Sequence, residues 1–344
     1  MKNMFAVFGF CFFSITVFAQ QGFTFKEQPE KKQVDVLYDG KLLTAYCHYD
    51  SVAKPVLFPV NTVDGITVTR GYPVAPRPGE RTDHPHHVGI WMNYESVNGI
   101  DFWNNSTAIP AEKKDQYGSI IHEKIISTDA HGNKASLTAT AKWVNNAGVV
   151  FLNEQTTYHF KVEDDIFIID RITTLTALDK KVVFKDVKDG FFAIRVAREL
   201  EMPSKEPGVF VDAHGNETKV DPSGDNSVTG MYYNSFGVKG DSVWSSKAPW
   251  TMLKGIKDGK PITIAMFDHP GNIGYPTYWH ARGYGLFALN PLGRKVFSNG
   301  KEELNYILSP RQSVKFVYRI IVASKDLSSE TINNISRSFD KEKY

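Results

Sequence analysis

Apolar and polar residues alternate with a period of two through the middle of the chain. The runs are Leu137 to Val144 (LTATAKWV), Gln155 to Val162 (QTTYHFKV), Ile166 to Ile172, Phe191 to Ala197 (FFAIRVA), Ile262 to Phe267 and Lys315 to Val322. Side chains of an extended chain point alternately to opposite faces, so this period predicts strands with one face in a core. The pairs Asp164-Asp165, Asp189-Gly190 and Asp258-Gly259 read as the turns between them. Near the end, Ile332, Ile335 and Phe339 recur at helical spacing behind Ser328, a residue suited to capping a helix. No Ser/Gly-rich or Pro-rich linker interrupts the strands. The expectation is an all-β fold, a large two-sheet sandwich with a short C-terminal helix, in one domain over residues 20–344.

The beginning of the chain has a different pattern. Lys2 is followed by an apolar stretch from Met4 to Phe18 and the small residue Ala19, which reads as a signal peptide over residues 1–19. That implies a secreted or periplasmic protein. A retained membrane anchor is the competing reading, but the stretch falls short of the roughly 20 residues a spanning helix needs. Cys11 would leave with the leader, so Cys47 would be the one cysteine of the mature chain. That leaves no internal disulfide and no cysteine-built zinc site. The 344 residues are 42% hydrophobic and 23% charged, with 40 Lys plus Arg against 38 Asp plus Glu. This is the balance of a globular protein without a basic run, so nucleic acid is not an expected partner. After Ala19 no apolar run is long enough to form a transmembrane segment.

Two segments interrupt the strand rhythm, Arg70 to Trp103 and Phe267 to Gly293. Both are rich in Gly, Pro and aromatic residues, and each contains Asp-His-Pro, at Asp83-His84-Pro85 and Asp268-His269-Pro270. Loops of this kind on a rigid scaffold are where sites are built. His84, His86 and His87 lie within four residues. They could ligate one divalent metal ion, with Asp83, Asp268, His269 or His280 completing the shell. They could equally act as acid and base without metal, an Asp fixing the tautomer, or serve as loop residues bonded to carbonyls. The catalytic candidates are therefore His84, His86, His280, Asp83 and Asp268. The second segment brings Tyr275, Tyr278, Trp279, Arg282 and Tyr284 together. With Trp91 from the first, these aromatic faces and a guanidinium fork suit a carbohydrate ligand. Glu80, Glu95, Asp101, Asp186 and Asp189 are further carboxylates, and Lys188-Asp189 before Gly190 reads as a turn rather than a site.

The strings TDHPHHVGIWMNYESVNGIDFW, KDGFFAIRVA and DHPGNIGYPTYWHARGYGLFALNPLG resemble a family of secreted bacterial proteins known as PmoA-like, or "methane oxygenase". The similarity runs from about Pro55 to about Val322. The resemblance implies association with polysaccharide-degrading systems and hence a carbohydrate substrate. A methane monooxygenase subunit needs several membrane helices, which this sequence lacks, so that activity is not expected. The strand pattern and length also resemble the galactose mutarotase type of supersandwich, although no catalytic segment of mutarotases is matched.

Two functions follow as expectations. One is a carbohydrate-active enzyme acting on a glycoside or keto-sugar derivative by elimination, hydrolysis or epimerisation. The other is a non-catalytic glycan-binding accessory protein.

Overall fold

The computed structural model describes residues 21–220 and 227–344, so the expected signal peptide and Cys11 lie outside the described residues. The strands in chain order are β1 (Phe23–Gln28), β2 (Gln33–Tyr38), β3 (Lys41–Cys47), β4 (Val56–Val60), β5 (Ile90–Tyr94), β6 (Gly118–His131) and β7 (Lys134–Asn145). They continue with β8 (Val150–Glu163), β9 (Ile166–Ala177), β10 (Val182–Phe184), β11 (Gly190–Arg195), β12 (Gly208–Val211), β13 (Glu217–Val220) and β14 (Met231–Asn234). The last are β15 (Trp250–Lys257), β16 (Lys260–Asp268), β17 (Tyr278–Arg282), β18 (Leu286–Asn290), β19 (Tyr306–Leu308) and β20 (Ser313–Ala323), followed by the helix α1 (Ser329–Phe339).

Two antiparallel sheets of eight strands dominate, in the orders β1-β2-β3-β4-β5-β11-β18-β17 and β14-β15-β16-β20-β9-β8-β7-β6. Each alternating run falls largely within one of these strands, although Phe191 to Ala197 extends two residues beyond the end of β11 at Arg195. Asp164 and Asp165 take positive φ between β8 and β9, as do Asp258 and Gly259 between β15 and β16. Left-handed residues at both centres are what a tight hairpin requires. Asp189-Gly190 departs from that reading. The Asp189 carbonyl accepts the Glu95 N–H just after β5 while the Asp189 N–H donates to the Glu95 carboxylate, and Gly190 opens β11. The two segments that break the alternation are also not loops throughout, since they contain β5, β17 and β18. These strands have five residues each and are buried almost entirely, and runs this short between glycines and prolines do not read as strands from sequence.

Alternation assigns the layers. In β20, Phe316, Tyr318, Ile320 and Val322 enter the core between the sheets, while Val317, Ile321 and Ala323 face outward. That outer face is covered by α1 through Ile332 and Phe339, and Ser328 caps the helix by accepting the Thr331 N–H. The outer face of the first sheet has no helix. Residues such as Trp91, Trp103, Ala193 and Ala288 form a separate apolar layer there.

Candidate functional site

One register row crosses the outer face of the first sheet. Trp91 of β5 is opposite Ala193 of β11, Ala193 is opposite Ala288 of β18, and Ala288 is opposite His280 of β17. Neighbouring strands lie about 4.8 Å apart, so the backbones of Trp91 and His280 are separated by roughly 14 Å. Two residues along β17, Arg282 stands on the same face. Between them Ala281 and, before them, Trp279 turn into the inter-sheet core.

The loop before β5 delivers the histidines, and Arg70 shapes it. This buried guanidinium donates to the carbonyls of Arg81, Asp83, His84 and His87. It also donates to Asp83 Oδ1 at 2.7 Å, where Arg195 of β11 donates at 2.6 Å. The other oxygen, Asp83 Oδ2, lies 2.9 Å from His84 Nδ1. Burial works against ionisation of Asp83, but the hydrogen bond to His84 and the two guanidinium groups hold its carboxyl well below the usual range. Gly89 closes the loop at positive φ, where a Cβ would meet the Leu57 carbonyl oxygen at 2.1 Å. Only glycine fits there.

The rings form a ladder. His84 is parallel to Tyr284 at 5.0 Å and to His87 at 4.8 Å, and His87 stacks on Trp91 at 5.1 Å. Arg195 Nη1 lies 3.3 Å from His87 Nδ1. A guanidinium only donates, so His87 accepts at Nδ1. Its ring, kept neutral mainly by burial and also by the charge of Arg195, carries its hydrogen on Nε2. His86 is likewise held neutral by burial and by Lys54. His87 Nε2, His86 Nε2, Trp91 Nε1 and His280 Nδ1 are all buried without a hydrogen-bond partner.

Across the row, His280 Nδ1 lies 3.8 Å from Asp189 Oδ1. Burial, with help from Lys188 and Arg282, lowers the His280 pKa to about 3. Asp189 shifts the opposite way, its pKa raised by burial, and so does Glu95, through burial and then the charge of Asp189. Asn290 of β18 fixes this corner by donating to the carbonyls of Val187 and Lys188. An adjoining cavity of about 470 Å³ is lined by Asp83, Arg81, Trp244, Arg282 and Tyr284 among others.

The arrangement brings together Asp83, His84, His86, His87, His280, Trp91 and Arg282, and leaves several expected members elsewhere. Among the described residues no three His, Cys, Asp or Glu side chains are grouped to hold a metal ion. In the ladder His84 and His87 meet face to face, and His86 crosses His87 at 76°. Asp268 is fully buried at the end of β16 in the second sheet, accepting from Asn272 and the Thr277 N–H. His269 packs on Phe339 and Tyr344. The two Asp-His-Pro segments therefore serve different sheets. Trp279 donates to the Ala248 carbonyl within the core. Tyr278 gives its hydroxyl to Glu302 and stacks on Phe297, and Tyr275 lies within the electrostatic reach of Asp340 and Asp268.

Sequence reasoning missed Arg70, Arg195 and Lys54, and it placed Asp189 among the candidate carboxylates but read Lys188-Asp189 as a turn. Arg195 was visible as the charged member of the Ala193-Arg195-Ala197 face in FFAIRVA. Lys54 is buried beneath the ladder, donating to the His86 carbonyl at 2.7 Å and lying 5.4 Å from the Trp91 ring centre.

The class defined so far is an antiparallel two-sheet β protein with a histidine-rich, arginine-braced outer face. The chain belongs to a family of unknown function, DUF6807, whose model matches residues 33–337. This corrects the PmoA-like resemblance, since the family matched over those residues is a different one. No curated protein matches the chain. Similar solved structures include a galactose 1-epimerase from Lactobacillus acidophilus NCFM, at 10% identity and TM-score 0.38, covering 87% of this chain and 97% of that one. The galactosidase domain of an α-galactosidase-sucrose kinase, AgaSK, is similar at 10% identity and TM-score 0.39 over 89% of this chain. A β-arabinopyranosidase is similar at 10% identity and TM-score 0.30 over 88% of this chain. The chain spans 42% of the AgaSK chain and 38% of the β-arabinopyranosidase.

Proposed function

We propose that the protein is a carbohydrate-active enzyme that moves a proton on a keto-sugar derivative, leading to epimerisation or elimination. The observation that carries this reading is the Asp83–His84 pair. The carboxylate orients the imidazole through Nδ1, which leaves Nε2 as the acceptor on a partly exposed ring beside the cavity. His84 Nε2 takes the proton from the carbon beside the carbonyl, and the electron pair of the broken C–H bond moves onto the carbonyl oxygen as an enolate. Asp189, kept protonated to higher pH than an ordinary carboxyl group by burial, returns a proton, to the opposite face of that carbon in epimerisation or to the leaving oxygen as the enolate collapses and breaks the β C–O bond in elimination. Hydrolysis of an intact glycoside fits less well, because the base of the site is an imidazole, Asp83 is committed to two arginines, and Glu95 and Asp189 share one corner. A secreted or periplasmic location belongs to the same proposal and rests on the signal-like residues 1–19.

The test is solvent exchange. Purified protein is incubated in heavy water with a panel of keto-hexosides that differ in carbonyl position, and loss of the C–H signal is followed by proton NMR. Exchange with the wild type that drops about a hundredfold or more in His84→Asn, with circular dichroism unchanged, supports the proposal. Equal exchange in the variant removes His84 from the role. A protein that binds the sugars and exchanges nothing is the glycan-binding accessory instead.

A further inference from the structure

Arg282 differs from the other arginines of the site. Arg70, Arg81 and Arg195 are each paired with a carboxylate. Arg282 is exposed, lines the cavity, and has no carboxylate of the described residues within 4 Å. Its guanidinium carbon lies 5.8 Å from the ring centre of Trp244 and 6.0 Å from that of Tyr284. Aromatic contacts of this kind leave the donors of the fork free for a ligand. Trp244 adds a buried indole N–H that also lacks a partner. The same cavity exposes Asp241 and Glu206, neither of them paired with a cation among the described residues.

A ligand matching this inventory must bring a planar acceptor for the guanidinium, hydroxyl donors for two carboxylates, and a ring face for Trp244 and Tyr284. A neutral sugar offers the guanidinium hydroxyl oxygens but no charge to balance it, and a simple anion offers nothing to the two carboxylates. We infer that the cavity takes a sugar acid, its carboxylate paired with Arg282 and its hydroxyl groups donating to Asp241 and Glu206. The inference rests on the carbohydrate reading above and narrows it to an acidic substrate class. Bidentate pairing of arginine with a carboxylate is the interaction for which a lysine ammonium is a poor substitute.

Isothermal titration with glucuronate, galacturonate, glucose, galactose and acetate tests this. The two sugar acids are expected to bind at least about tenfold more tightly than the neutral sugars and than acetate, a preference that added salt reduces. Arg282→Gln should erase the preference, and Arg282→Lys should retain part of it. The side chain is exposed, so both variants should fold. Neutral sugars binding as well as the acids overturns the inference while leaving the carbohydrate reading in place. Acetate binding as well as the sugar acids also overturns it, in favour of a plain anion site. No binding of any sugar overturns both. Retention of sugar-acid binding by His84→Asn, alongside loss of proton exchange, would separate recognition from chemistry.

Discussion

Asp83 Oδ2 and His84 Nδ1 are 2.9 Å apart, and the opposite oxygen of the same carboxylate receives two buried guanidinium groups. One aspartate thus ties the imidazole to the sheet through Arg195. Asp83→Asn replaces one oxygen by an NH2 that cannot accept, so it disturbs either the tautomer of His84 or the arginine pair. The expected result is a fall of about 10²- to 10⁴-fold in proton exchange. Breaking a buried ion pair costs about 3–5 kcal/mol. The Asp83 side chain is 32% exposed, so a loss nearer 2 kcal/mol is expected from urea unfolding. Wild-type exchange rates in the variant would detach Asp83 from the chemistry.

The sequence revealed more of the scaffold than of the site, for reasons found in particular residues. Strands such as β7 and β8 are long and half-buried, so their period is legible. In β17 the order Tyr278-Trp279-His280-Ala281-Arg282 alternates too, but it sits between glycines and prolines and reads as loop. Treating it as a loop joined Trp279 to His280 and Arg282, whereas the strand turns Trp279 to the opposite face. His84 and Asp83 were readable because they are adjacent in sequence. Arg70 and Arg195 were not, since their link to Asp83 depends on the pairing of distant strands. The Ser328 cap and the face of α1 were legible because a helix is built from local contacts.

Lys54 should leave a signature in the pH dependence of stability. Burial lowers its pKa from 10.5 to about 7. Below about pH 7 both folded and unfolded chains are protonated, and the fold bears the cost of a buried ammonium. Between about pH 7 and 10.5 the unfolded chain holds the proton and the folded chain has released it, so this group makes stability rise with pH. Lys54→Met keeps most of the volume and removes the titration. The difference in unfolding free energy, wild type minus variant, should therefore increase from pH 7 to pH 10. A flat difference would mean the ammonium is solvated or paired.

Asp268 should behave in the opposite sense. Its pKa rises from 3.8 to about 7 because the group is buried. Between these values the folded chain binds more protons than the unfolded one, so the contribution to stability is full below 3.8 and is lost as pH rises through about 7. In Asp268→Asn that loss should disappear, although one of the hydrogen bonds from Asn272 and Thr277 is weakened. Proton exchange per folded molecule should stay at the wild-type rate, because this carboxyl group serves the second sheet. A large fall in exchange with unchanged unfolding curves would return Asp268 to the site.

Trp91 and Trp279 are both fully buried and belong to opposite faces of the same sheet. Removing either indole leaves a cavity, and Trp→Ala at either position should cost about 3–5 kcal/mol. Stability alone therefore does not distinguish them. Function should, because Trp91 supports His87, which in turn stacks on His84, while Trp279 contacts the core and the Ala248 carbonyl. The milder pair Trp91→Phe and Trp279→Phe keeps both proteins folded. Exchange normalised to folded protein should drop severalfold in Trp91→Phe and stay level in Trp279→Phe. Equal effects at the two positions would mean that the ring ladder is packing without influence on His84.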